Sequence, residues 1–130
     1  MSAYTASHSV AYKQQSILTA TPGQLVVMLY DGCLRFLNQA AYAMRGGDIA
    51  ESNARLSRAE AIIEELHATL DMEKGGEIAE NLRSIYTFLS GYLLESVTQQ
   101  DPARLRRAMD LLMELREAFS QAAKTSAAAA

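Results

Sequence analysis

The chain has 130 residues and 14.2 kDa, the size of one ordinary domain, and its 49% hydrophobic content is enough to bury a single core. A formal charge of −3 and a pI near 5.3 exclude a general nucleic-acid binder, which would need a basic face. Cys33 is the only cysteine, so no internal disulfide can form, and no run approaches the roughly 18 apolar residues needed to span a bilayer; the expectation is a soluble, cytoplasmic protein without membrane insertion.

Residues 1–17 are mostly polar, with Tyr4, Val10, Tyr12 and Ile17 as isolated apolar positions, and they lack the regions of a secretory signal. They are expected to form a flexible segment outside the fold. Thr21, Pro22 and Gln24 then fit a capping box with proline at the first helical position, so a helix is predicted from about Pro22. Within it Leu25, Met28, Leu29, Phe36 and Ala40 make one apolar stripe, which Val26, Val27, Tyr30, Leu34 and Leu37 widen around the cylinder. One face can fill a core, to which Leu25, Met28 and Leu29 are assigned; the surplus asks for a partner.

Gly46-Gly47, Gly75-Gly76 and Asp101-Pro102 divide the remainder into three further helices. The second starts at Asp48, a cap with Glu51 three residues on, and carries Ile49, Leu56, Ile63 and Leu70 in a heptad-spaced row with Ala59 and Leu66 between. From about Glu77 to Gln99, the third sets Ile78, Leu82, Ile85, Leu89 and Leu93 on one face and Tyr86, Phe88 and Tyr92 beside it. The fourth, capped by Asp101 with Pro102 at its first position, runs through Leu105, Ala108, Leu112, Leu115, Phe119 and Ala122, with Met109 and Met113 next to that seam. Short turns between such helices predict an all-α fold, an antiparallel up-down-up-down four-helix bundle over residues 18–123 and about 35 Å long. Residues 124–130 read as a disordered Ala-rich tail.

Catalytic and metal chemistry lack their parts. Glu64-Glu65-Leu66-His67 matches the Glu-x-x-His of di-iron bundles, but the only other histidine is His8 and the first helix holds no Glu. As the acceptor of a histidine phosphotransfer bundle, His67 is followed by Ala68-Thr69-Leu70-Asp71 rather than by the lysine and glycine that serve a phosphoryl group. No nucleophile has a base and an orienting group at hand, and no glycine-rich phosphate loop is present. The expectation is a non-enzyme with no metal, no cofactor and no nucleic-acid partner. Arg104, Arg106 and Arg107, interleaved with Asp101, Asp110, Glu114 and Glu117, read as a solvated face, and Cys33 reads as a small buried hydrophobe.

Tyr12, Ile17-Leu18-Thr19-Ala20-Thr21-Pro22, Leu25 and Met28-Leu29-Tyr30-Asp31-Gly32 resemble, in order and spacing, the signature of flagellar secretion chaperones of the FliS type. Leu70-Asp71, Gly76, Asn81-Leu82, Ile85-Tyr86, Leu112 and Leu115-Arg116 resemble its later motifs, so the resemblance spans about residues 12–122. One departure is Phe119, where a last-helix tryptophan is expected; the chain has no tryptophan.

The resemblance implies a cytoplasmic chaperone. It would bind the C-terminal segment of flagellin, disordered when free and helical when wrapped on the bundle, prevent its polymerisation and deliver it to the type III export gate, whose components are further expected partners. Coupled folding and binding of this kind requires apolar strips on the outside of the bundle. Tyr30, Leu34, Tyr86, Phe88, Tyr92, Met109 and Met113 are candidates for those strips, with Asn81 from the motif, and for each the alternative is core packing. Val10, Tyr12 and Ile17 are expected to cap a groove until flagellin displaces them; left uncovered, the groove would favour a homodimer. The alternative of another class is an adaptor bundle whose stripes serve only self-assembly.

Overall fold

A computed structural model describes residues 19–129, with side chains to residue 125. Among the described residues four helices follow one another, α1 (Pro22–Arg45), α2 (Ile49–Ala68), α3 (Gly76–Gln99) and α4 (Pro102–Ala129), and there is no strand. They form the four-helix bundle read from the sequence. Packing is densest between α1 and its neighbours α2 and α4, and thinnest between α3 and α4, so the ring closes loosely along one seam.

The helix starts follow local chemistry. The backbone N–H of Gln24 donates to Thr21 Oγ1 at 3.2 Å, and that of Thr21 donates to Gln24 Oε1 at 2.9 Å, completing the capping box before Pro22. Asp48 Oδ1 accepts from the Glu51 N–H at 3.1 Å and Asp101 Oδ1 from the Ala103 N–H at 3.0 Å. Gln100, at φ 49°, turns the chain from α3 into α4 in a left-handed conformation unusual for a residue with a Cβ. Its amide offsets that strain: Ser52 Oγ donates to Oε1 at 3.0 Å, while Nε2 donates to Asn53 Oδ1 at 3.2 Å and to the Val97 carbonyl at 2.8 Å. The start of α2 is thereby tied to the α3–α4 turn.

Leu37, Leu56, Ile63, Leu66, Leu89, Leu93, Leu105 and Leu112 fill the interior, with Tyr30, Tyr86 and small residues such as Ala40, Ala59 and Ala108 where helices approach closely. Cys33 is buried, and its Sγ lies 3.7 Å from the Ala59 carbonyl it donates to. Two expected seams differ at their ends. Ile49 is exposed, and Leu70 lies past the end of α2, which stops at Ala68. On α3 the inward face is Ala79, Tyr86, Leu89, Leu93 and Ser96, whereas Ile78 points out. The Ala-rich end, read as a disordered tail, continues α4 as helix to Ala129, in keeping with the high helix propensity of alanine and the absence of a breaker.

Candidate functional site

Where the first turns of α1 meet the end of α2 and the start of α3, the bundle opens into an apolar cleft of about 730 Å³. Pro22, Leu25, Val26, Met28 and Leu29 supply one wall. Thr69, Leu70 and Asp71, from the α2–α3 connection, and Ile78, Ala79 and Leu82, from α3, supply the other, with Tyr86 and Phe119 also lining it. At this end α2 stops at Ala68 and α3 begins at Gly76, so the connection between them borders the cleft. Leu25, Met28 and Leu29, assigned to the core from periodicity, are therefore cleft residues, and Leu25 is 38% exposed.

The loop beside the cleft is held tightly. Asp71 Oδ1 accepts from the N–H groups of Glu73 (3.1 Å) and Lys74 (3.0 Å). A Cβ on Gly75 would stand 2.6 Å from the Ala79 Cβ and 2.7 Å from the Asp71 carbonyl oxygen, and Gly76 sits at φ +52°, so this turn requires both glycines.

Beneath the cleft the Tyr30 and Tyr86 hydroxyls hydrogen-bond at 2.5 Å, and the Tyr30 ring lies 5.4 Å from that of Phe119. Burial pushes the pKa of both phenols above the ordinary tyrosine value and so disfavours their ionisation; for Tyr30 the hydrogen bond to Tyr86 adds to the effect. Tyr30 and Tyr86, expected on outer strips, are 0% and 1% exposed, and Met109 is also buried: all three are core residues, because each faces the bundle axis. Leu34 is half-buried against the same core.

Apolar surface continues out of the cleft along α3. Ile78, Asn81, Ile85, Phe88 and Tyr92 share one face by helical spacing; Phe88 is 59% exposed, with its ring 5.6 Å from Tyr92. Tyr92 closes the thin α3–α4 seam: its hydroxyl donates to the Arg104 carbonyl at 2.9 Å, Arg107 Nε donates to that hydroxyl at 3.2 Å, and the Arg104 guanidinium lies 4.1 Å over the ring. Met113 is exposed but lies about half a turn round α4 from Arg104, away from this seam. Val10, Tyr12 and Ile17 fall outside the described residues.

Sequence reasoning missed Leu70 and Phe119 as cleft residues and placed Ile78 in a core seam. The available signal was the apolar run Leu25-Val26-Val27-Met28-Leu29, denser than one buried face needs. No helix of the described residues is long and apolar enough to cross a membrane. Burial pushes the Cys33 thiol up to about 12, which leaves it un-ionised and unreactive near neutral pH.

A family model described as flagellar protein FliS matches residues 4–126. Several relatives are named flagellar secretion chaperone FliS. That of Salmonella typhimurium is 38% identical over 123 residues, covering 91% of this chain and 91% of its own. The Bacillus subtilis protein is 35% identical over 112 residues (86% and 83%), and that of Vibrio cholerae 34% over 115 residues (85% and 85%).

Proposed function

The chain belongs to the FliS family of flagellar proteins, and on that premise we propose that it is a cytoplasmic chaperone that holds the C-terminal segment of flagellin, keeps it from polymerising early and hands it to the flagellar type III export apparatus. The mechanism is sequestration, with no covalent step and no cofactor. The observation that carries this reading is the open apolar cleft at one end of the bundle, continuous through Ile78 with the exposed Asn81 and Phe88 on α3. A small soluble domain gains nothing by leaving such surface open unless a partner covers it. A disordered segment that becomes helical against it would bury its own apolar face and recover backbone hydrogen bonds internally.

The N-terminal residues Val10, Tyr12 and Ile17 act in this reading as a temporary cover for the groove, exchanged for flagellin on binding. Deleting residues 1–15 is expected to raise self-association of the free protein and to alter flagellin affinity. The reading as a whole is tested by size exclusion of the purified protein mixed with flagellin or with flagellin lacking its C-terminal segment. A one-to-one complex with the first and none with the second is expected; equal behaviour with both would refute it and favour a self-assembling adaptor.

A further inference from the structure

The cleft is apolar except at one edge, where, among the described residues, Glu65 and Asp71 are the only charged side chains lining it. Among the described residues neither carboxylate is in an ion pair. Asp71 is partly engaged by the backbone of its own loop. Glu65 has no such engagement, and it stands in the last turn of α2, where the negative end of the helix dipole disfavours a carboxylate. Both features would be relieved by one cation arriving with the occupant.

We propose that Glu65, supported by Asp71, is the charge-reading edge of the cleft, and that the segment it selects is an apolar helix former carrying a Lys or Arg that reaches this edge. The inference rests on the flagellin reading above and specifies which part of flagellin's C-terminal segment enters the cleft: a stretch whose only charge within the cleft is that cation. A charge elsewhere on the face that enters the cleft would be buried against Leu25, Leu29 and Leu82 without a partner. The apolar walls thus supply affinity, and the carboxylate edge fixes direction and register.

The test measures binding of the full-length protein to a synthetic flagellin C-terminal segment by calorimetry, with Glu65→Gln and Glu65→Lys beside the unaltered chain. Glu65 is exposed, so both variants should fold, with a melting temperature equal to or slightly above that of the unaltered chain as the clash with the helix dipole is relieved, which serves as the folding control. Glu65→Gln is expected to weaken binding about two- to five-fold, the range of a solvent-facing ion pair, and to flatten its salt dependence. Glu65→Lys should weaken it on the order of ten-fold, through repulsion of the same cation. Replacing that Lys or Arg of the peptide by Glu should restore binding to Glu65→Lys alone. Affinity and salt dependence unchanged in both variants, with the unaltered chain binding normally, would overturn the inference and leave the flagellin reading standing. Tighter binding by Glu65→Gln, or a changed oligomeric state of the free protein, would put the chain's own Lys13 or a second copy at this edge and overturn it too. Failure of the unaltered chain to bind the segment would overturn the flagellin reading, and this inference with it.

Discussion

Tyr30 and Tyr86, 56 positions apart, meet hydroxyl to hydroxyl at 2.5 Å in the interior, joining α1 to α3 across the bundle. Each is the other's hydrogen-bond partner in a place without access to water, and both are buried beneath the cleft that we assign to flagellin. Tyr30→Phe would strand the Tyr86 hydroxyl, and Tyr86→Phe that of Tyr30. Each single change is expected to lower stability by about 1–2 kcal/mol, and the double change by less than their sum, because it leaves no orphan. Urea unfolding of the four proteins closes this cycle; strict additivity would mean that the hydroxyls do not interact.

The same burial makes the bundle alkali-sensitive. In the unfolded chain Cys33 ionises near 9.0 and Tyr30 near 10.0, whereas burial keeps both neutral in the native state well above those values. Above pH 9 the native protein therefore holds more protons than the unfolded chain. Stability, intact below that pH, falls as pH rises, by about 1.4 kcal/mol per pH unit for each group that ionises on unfolding. Cys33→Ala should remove the first part of the decline, which urea titrations on either side of pH 9.0 would measure.

Asp31 and Arg116 hold α1 to α4 through two contacts, Nε to Oδ1 at 2.6 Å and Nη2 to Oδ2 at 3.3 Å. Their side chains are 45% and 34% exposed, so solvent weakens the pair despite its forked geometry. Asp31→Asn should cost about 0.5–1 kcal/mol, less at high salt, read as a small fall in Tm.

Two glycines give opposite outcomes. Gly75→Ala would drive a Cβ into the Ala79 Cβ and the Asp71 carbonyl, so the loop must move, at a cost of about 1–3 kcal/mol. Gly91, in the interior of α3, has nothing within 4 Å of the Cβ it lacks. Gly91→Ala should stabilise α3 by about 0.5–1 kcal/mol, seen as a raised Tm. A loss of flagellin binding in that variant would show that the partner uses the bare backbone there.

Ile78→Ser separates binding from folding. The side chain is 72% exposed, so Tm should stay put, while flagellin affinity falls about ten-fold, the effect of removing one well-placed apolar anchor. An unchanged affinity would remove Ile78 from the binding face.

Local chemistry was legible in the sequence. Thr21, Gln24, Asp48 and Asp101 cap helices where their side chains alone predict, and the glycine pairs mark the turns. Depth along the bundle axis was not. Periodicity gives the angle at which Leu25 points, but whether a neighbouring helix covers it depends on where that neighbour ends, which α2 does at Ala68. Hydropathy also misranked α3, where Ala79 and Ser96 face inward and Ile78 faces out, since close helix packing favours small side chains. Tyr30 and Tyr86 read equally well as surface anchors or core residues, and only their mutual hydrogen bond, invisible along the chain, places them inside.

The absence of tryptophan makes the decisive measurement simple: Phe119, which lines the cleft, can be replaced by tryptophan as the sole indole in the chain. If the cleft receives flagellin's C-terminal segment, titrating Phe119→Trp with a tryptophan-free peptide of that segment will shift the emission to the blue and saturate at one-to-one. Emission that stays constant while the peptide binds would show that flagellin is held elsewhere, and would contradict the account.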